Sequence, residues 1–502
     1  MIKALLQKLS HLNPAIATVL VLLIAFLLRL PQLAGSFWLD EAAQVLESAR
    51  PFSSQLDIVN DFQPPLLHYI THFAIKLGQP LGLDKAEWWL RTWAALIPGL
   101  ITIFFTIRLS NQLLKTKASK TWVGLLAGIF IATSSLHIFY SQELRPYSLP
   151  AMWASISWWL LLKKKPVGLG LVTALGLFSS YLYPFFLFGQ ISYVLWTNSF
   201  KLKLKKLPTQ LLALLGGAVL FLPWLPMFFK QLNAGGVVRT TLPGWSTAVS
   251  LPQLKALPLV LGKFLFGVID LEMTVTFICL GLIVILLVLH LVTTGILDKT
   301  KHLISPLAIS FFWLVIPLIS AWLISFFVPV IRPKRVLLLL PGFYLGLSSL
   351  IYLSKSKLKY LLLVLLLGIN IFGTFSYFTQ SELQRENWRE LIWVLENKYT
   401  PRSSSNPTVA VFSFPGPFPP WTWYAEPDFP TLSTGVLSVD QISNLDPFLE
   451  TASDYQTLLV FDYLQDLTDS DRVVLGKLKE QGFAQDTLFA YPGIGFVREM
   501  KL

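Results

Sequence analysis

Residues 14–50 read PAIATVLVLLIAFLLRLPQLAGSFWLDEAAQVLESAR: an apolar run, a basic residue, a Pro-Gly break, and then two adjacent carboxylates, Asp40 and Glu41. A run of about 20 apolar residues can cross a bilayer as a helix. No small-x-small cleavage pattern follows it, so the reading is a retained first span at 14–34 rather than a removable leader. The same pattern recurs down the chain, at 88–108, 121–139, 147–162, 167–183, 184–200, 209–229, 271–296, 304–328, 336–353 and 360–378. The expected architecture is therefore a polytopic α-helical membrane protein with about 11 transmembrane helices, the fifth and sixth nearly contiguous.

Composition agrees. Only 14% of the 502 residues are charged, against roughly a quarter in soluble domains. The mean hydropathy is +0.60. The single cysteine, Cys279, excludes a disulfide framework or a cysteine-based metal site within one chain. No glycine-rich phosphate loop follows a strand, and the basic excess of the apolar region points to topology and anionic lipid rather than nucleic acid.

Charge divides the chain. From Ser381 onward there are 17 Asp/Glu against 9 Lys/Arg, whereas the preceding residues hold 11 against 31. This marks residues 1–379 as a multi-span domain and 380–502 as a separate one. In the latter, helix-like ENWRELIWVLENK stands among strand-like PTVAVFSF, TLLVFDYL and IGFVREM, which predicts a small C-terminal α/β domain. With a cytoplasmic N-terminus, the loops assigned to the inner side carry 18 basic residues and one acid, Asp298, while the other ten acids of the span region fall outside. The positive-inside rule then places the C-terminal domain on the extracytoplasmic side of a plasma (inner) membrane. Two long outer connections are expected: residues 35–87, with amphipathic helices, and residues 230–270, a Gly/Pro/Ser-rich mobile loop.

Outer-side charges gather near span ends. Asp40 and Glu41 follow the first span. Glu143 and Arg145 lie in HIFYSQELRPYSLP, and Arg332, Lys334 and Arg335 lie in VPVIRPKRVLLLLPG. Charges at headgroup depth are costly and are functional candidates by default. Plainer readings stand beside this one: Asp40 as the N-cap of a helix beginning at Glu41, Glu143 and Arg145 as a structural ion pair, and the 332–335 cations as anchors to lipid phosphates. Arg29 is expected to pair with an outer acid or to snorkel to headgroups. His68 and His72, spaced i, i+4, could share a metal, but two ligands do not make a site. Asp469-Ser470-Asp471 in TDSDR reads as a helix N-cap rather than a nucleotide-sugar motif. The stretch GPFPPWTWYAEPDF suits sugar stacking and core packing equally.

FWLDEA (37–42), PPLLHYI (64–70), YSQELRPYSL (140–149), IRPKRVLLLLPG (331–342) and ENWREL (386–391) together resemble, in order across almost the whole chain, the bacterial relatives of protein O-mannosyltransferases and aminoarabinose transferases, which are GT-C glycosyltransferases. YSQELRPYSL is fairly specific and the ordered set more so. The resemblance implies a GT-C type fold and an outward-facing site. It further implies transfer of a sugar, with inversion, from a polyprenyl-phosphate donor to a protein, glycolipid or polysaccharide acceptor. By matching motif, the family's acidic general base falls on Asp40, with Glu41 beside it. Arg145 is the leading candidate for the leaving phosphate, because a guanidinium grips phosphate bidentately, with Arg332 and Arg335 as further candidates. Glu143, His68, Tyr181 and Tyr183 are candidates for substrate contact. The expected mechanism requires no cofactor; a divalent metal is conceivable and not favoured. A lipid-linked sugar flippase or other transporter would show internal repeats, and none is visible; a polymer ligase or polymerase using lipid-diphosphate glycans is the other competing reading.

Overall fold

The structure is a computed structural model that describes residues 13–114, 117–198, 207–242, 244, 253–269, 274–297, 301–328, 330–399, 407–440 and 443–502. The chain divides into two units. One comprises Met1–Ala34, Phe52–Phe229 and Val249–Thr379; the other comprises Gly35–Pro51, Lys230–Ala248 and Gln380–Leu502. The basic clusters at 3–8 and 201–206 lie outside the described residues.

The first unit is helical. Asn13 caps its first helix, Pro14–Leu27, its side chain accepting from the Ala15 N–H, and Pro14 supplies a ring where no N–H is needed. Among the described residues, five helices are long and apolar enough to cross a membrane: Glu87–Leu113, Thr209–Thr241, Val275–Gly295, Ser305–Ile324 and Lys359–Thr379. Shorter apolar helices run at Pro14–Leu27, Thr121–Thr133, Ser148–Leu162, Pro166–Leu177 and Leu337–Leu353. The count of eleven stays an expectation. The helix Val275–Leu297 shows why no polar face was legible: Ile278, Leu282, Ile285, Leu286 and Leu289 all stand exposed on its outside, as lipid-facing residues do. The near-contiguous fifth and sixth segments are two helices, Pro166–Leu177 and Tyr183–Asn198. The connection 35–87 contains helices Leu39–Ala49 and Leu66–Gly78. The mobile loop expected at 230–270 is corrected at both ends, where helix Leu225–Thr241 enters it and helix Gln253–Phe266, with Pro258 inside, occupies the far part; residues 243, 245–252 and 270 lie outside the described residues. Local Gly and Pro content misled because helix neighbours override propensity.

Arg29 also departs from expectation. It is fully buried and lies beyond the end of the first helix. Its Nη1 donates to the carbonyls of Ala25 (2.7 Å) and Ala132 (3.2 Å), and its Nη2 reaches the Ile131 carbonyl (3.4 Å) and His137 Nδ1 (2.7 Å). Two of these carbonyls belong to the last turn of helix Lys117–Thr133, where intrahelical partners run out. The arginine thus caps another helix instead of snorkelling. Since a guanidinium only donates, His137 Nδ1 must accept, which makes this imidazole neutral. Gln142 closes the network: its Nε2 donates to the Arg29 carbonyl (2.8 Å), and its Oε1 accepts from Tyr377 Oη (2.9 Å) on the last helix.

In the second unit, strands β1 (Thr408–Phe412), β2 (Thr431–Ser433), β3 (Thr457–Phe461), β4 (Ala484–Tyr491) and β5 (Gly495–Lys501) form one sheet in the order β2-β1-β3-β5-β4. β1 pairs in parallel with β2 and β3, and β5 runs antiparallel to β3 and β4. Every residue of β1 and β3 is buried, so the sequence reads as continuous apolar runs, as a strand covered on both faces does. Alternate residues serve opposite layers. Ala410, Phe412, Leu459 and Phe461 face helix Trp388–Lys398, through Trp388, Leu391 and Leu395. Val409, Val411, Leu458 and Val460 pack with Val474 and Leu478 of helix Val473–Glu480. Edge strands β2 and β4 had no comparable signature; β4 is largely exposed. Trp421 and Phe418 of the aromatic-proline stretch pack beneath this sheet, which favours the packing reading. Asp469 caps helix Val473–Glu480, accepting from the N–H groups of Val473 (2.7 Å) and Val474 (3.1 Å).

These contacts carry two stability predictions. Gln142→Ala strands the buried Arg29 carbonyl and is expected to cost about 1–3 kcal/mol, read as a lowered melting temperature of the full chain in detergent. Asp469→Ala should cost about 1 kcal/mol and speed hydrogen exchange at the first amides of helix Val473–Glu480, leaving exchange in Lys359–Thr379 unchanged.

Candidate active site

In the helical unit, PPLLHYI begins a helix. Pro64 and Pro65 suit a helix entrance, and the helix Leu66–Gly78 starts where the Leu66 N–H bonds the Phe178 carbonyl at 3.1 Å. That bond joins the entrance to the turn carrying Tyr181. His68, on the first turn, bonds back to Asp61: Nε2 to Oδ2 is 2.7 Å, with the His68 side chain fully buried. Gln63 donates to the same carboxylate oxygen and lies 3.2 Å from His68 Nε2. Burial by itself would raise the Asp61 carboxyl; the His68 bond, the positive charge of Arg145 and the Gln63 bond outweigh it and hold the group below the usual carboxylate range. Tyr181 lies within electrostatic range of Asp61, and its Oη accepts from Trp224 Nε1 at 2.9 Å. His72 takes a different partner, with Nδ1 3.5 Å from Gln55 Nε2. The two histidines are thus committed to separate contacts.

Arg145 sits in a tightly folded connection. The Arg145 N–H bonds the Glu143 carbonyl and the Tyr147 N–H bonds the Arg145 carbonyl, each at 2.8 Å, while Ser148 Oγ donates to the Tyr140 carbonyl at 2.7 Å. Glu143 is buried. This connection meets the basic-proline turn: Lys334 Nζ stands 5.4 Å from the Tyr147 ring centre, and Arg332 lies near both Tyr140 and Tyr147. Arg145, Arg332, Lys334, His68 and Tyr181 therefore belong to one neighbourhood of the helical unit, bridged by Asp61 and Tyr147. Arg335 Nη1 turns toward the Val330 carbonyl of its own turn at 3.5 Å. Tyr183 differs from Tyr181. It is fully buried, with Phe186 beside it, and a Cβ at Gly176 would collide with its ring, so it is held as a packing residue.

Asp40 and Glu41 belong to the second unit, on the first turn of helix Leu39–Ala49. The capping explanation for Asp40 does not hold. The helix starts one residue earlier than Asp40, Trp38 is the N-cap, and the Glu41 and Ala42 N–H groups bond the Trp38 carbonyl at 3.1 and 3.0 Å. Asp40 is half-buried, whereas Glu41 is fully buried with Arg385 Nε 3.9 Å from its Oε2. The segment entering the helix is tied down at two points: the Phe37 N–H donates to Tyr424 Oη (2.7 Å), and Ser36 Oγ accepts from the Arg389 N–H (3.1 Å). Asp61, Arg385 and Glu386 were missed from sequence. Asp61 had one available signal, its position ahead of a Pro-Pro helix start with a histidine on the first turn.

No protein-family model matches the chain, and no curated protein matches it by sequence. Solved structures do. ArnT from Cupriavidus metallidurans bound to undecaprenyl phosphate is similar over 97% of this chain and 98% of that one, with a TM-score of 0.52 and 12% identity. The Archaeoglobus fulgidus oligosaccharyltransferase in its apo form aligns over 90% of this chain and 70% of its own, at a TM-score of 0.48 and 12% identity. The second value is too low to argue from, and at such identities the first speaks for fold alone. The fold expected from the motifs is met at this level: a mostly helical, multi-pass membrane protein with a small C-terminal sheet, sharing the ArnT fold.

Proposed function

We propose that this protein is a membrane glycosyltransferase that moves a sugar from a polyprenyl-phosphate donor to an acceptor on the extracytoplasmic side. The observation that carries the reading is the near end-to-end likeness to a fold that, in ArnT, holds undecaprenyl phosphate. The neighbourhood of Arg145, Arg332 and Lys334 supports it locally, since a phosphate monoester needs cations and hydrogen-bond donors. The positive-inside charge pattern supports the sidedness.

In the proposed reaction an acceptor hydroxyl oxygen attacks the anomeric carbon as the bond from that carbon to the phosphate oxygen breaks. The bonding pair leaves with the oxygen, releasing polyprenyl phosphate. Asp40 takes the hydroxyl proton, and attack from the face opposite the leaving group inverts the anomeric centre. Arg145 meets the charge that grows on the phosphate, where a fixed cation lowers the barrier. Asp61, held by His68, keeps an opposite charge near Arg145 and so orders the guanidinium. Glu41, fully buried beside Arg385, suits anchoring rather than proton transfer. No step calls for a metal or cofactor.

The test uses purified full-length protein, a panel of undecaprenyl-phosphate pentoses and hexoses, and a membrane extract as acceptor source, with undecaprenyl phosphate release followed by mass spectrometry. Consumption of one donor is expected. Movement of donor between vesicle leaflets without consumption would overturn the reading in favour of a flippase. Asp40→Asn should lower turnover by about 10²–10⁴ in a protein that still melts as one folded species at about pH 5.5. Arg145→Ala loses charge-assisted bonds of about 1.5–3 kcal/mol and should both weaken undecaprenyl-phosphate binding and slow turnover. An effect confined to the acceptor's KM would remove Arg145 from the phosphate.

A further inference from the structure

Two consecutive residues ahead of the C-terminal sheet reach the helix that carries Asp40. Arg385 Nε stands 3.9 Å from Glu41 Oε2, with these side chains 8% and 0% exposed. Glu386 Oε1 accepts from Tyr463 Oη at 2.9 Å, and its Oε2 accepts from Trp388 Nε1 at 2.6 Å. The same carboxyl accepts from the backbone N–H of Leu39, the first residue of the helix and the neighbour of Asp40. A helix start leaves its first N–H groups without intrahelical partners, and the local N-cap, Trp38, offers no side-chain acceptor. Glu386 supplies that acceptor from a remote part of the chain. The turn at Gly493, where φ is +77°, packs alongside Glu386: a Cβ there would lie 3.4 Å from the Glu386 Cα and Cγ, an ordinary contact distance.

We propose that Arg385 and Glu386 are positioning residues for Asp40, fastening the first turn of its helix through the Leu39 N–H and Glu41 and setting a second carboxyl within reach of its charge. The proposal rests on the reading of Asp40 as the base. Bracing the helix start accounts for the Leu39 bond; beyond it, the Glu386 carboxyl and Asp40 feel each other's charge, and the two repel when both are ionised.

Burial pushes the Glu386 carboxyl up to about 7, and the negative charge of Asp40 acts the same way, against the bonds from Trp388, Tyr463 and Leu39. The groups facing it are Asp40 from the Leu39–Ala49 helix and the Tyr463 phenol from beyond β3, which burial and the Glu386 charge keep protonated. Arg385, next in the chain, is turned to Glu41, and the 493 turn contributes no charge at the contact. Glu386 therefore changes charge near neutral pH. It is neutral below that range, and above it places a second negative charge beside Asp40.

A double-mutant cycle on the full-length protein in detergent tests the coupling without any donor. Melting temperatures of wild type, Glu386→Gln, Asp40→Asn and the double variant are compared at about pH 5.5 and about pH 8.5, below and above the titration of Glu386. The effects are expected to be additive at the lower pH and non-additive at the higher one; additivity at both overturns the proposal. Turnover of the undecaprenyl-phosphate sugar that wild type consumes supplies the second arm. Glu386→Gln should lower kcat about tenfold with little change in donor KM and should flatten the wild-type step in rate near neutral pH, with Glu386→Asp partly restoring both. Tyr463→Phe, which keeps the ring packing and removes one donor, should move that step to higher pH. A Glu386→Gln profile parallel to wild type also overturns it. If Asp40→Asn retains turnover while the melting coupling persists, the base assignment fails and the clamp stands.

Discussion

Hydrocarbon offers no water to a polar group, so a charged side chain buried in a span region must find its partners within the protein. The Arg29 guanidinium does so. Buried completely, it gives its Nη hydrogen atoms to the exhausted carbonyls of Ala132 and Ile131 and to His137. The helix Lys117–Thr133 can therefore end inside the unit, and the chain continues through Ser135–Tyr140 into the connection that presents Arg145. Gln142 ties this connection to both Arg29 and Tyr377. The connection that presents Arg145 is thus tied to a buried polar network as well as folded tightly on itself.

The second unit applies the same economy around Asp40. The segment 36–41 is not left to its own capping: Tyr424 takes the Phe37 N–H, Glu386 takes the Leu39 N–H, and Arg385 faces Glu41. A short piece of the first outer connection and a distant acidic domain thereby form one folding unit. In functional terms, the carboxylate proposed to accept a proton stands on a helix start that is fastened by residues far away in sequence.

Much of the architecture was legible. Apolar runs of bilayer length and the charge asymmetry of the loops reflect solvation alone, and β1 and β3 were visible because strands buried on both faces must be apolar throughout. The capping role at TDSDR was legible too, because an acid ahead of a helix start has a local job, and Asp469 performs it. Arg145 and Arg332 were legible as candidates because charge near a span end is costly, and His68 because it shares a helix face with His72. Edge strands β2 and β4, the helices within 230–270 and the packing fate of Tyr183 were not, since each depends on which neighbour covers it.

The sequence by itself determined the solvent each segment can tolerate: which stretches suit lipid, which loops carry the basic charge, and that Asp40 and Glu41 follow an apolar segment. Only the tertiary structure decided what those carboxylates do locally. It separated a half-buried Asp40 from a fully buried Glu41, removed capping as the reason for Asp40, and gave partners to Arg385, Glu386 and Asp61. The physical reason is that hydropathy is a property of each residue and its near neighbours, whereas a hydrogen bond or a repulsion between charges depends on distance in space. The Glu386 bond to Leu39 joins residues that are far apart in the sequence.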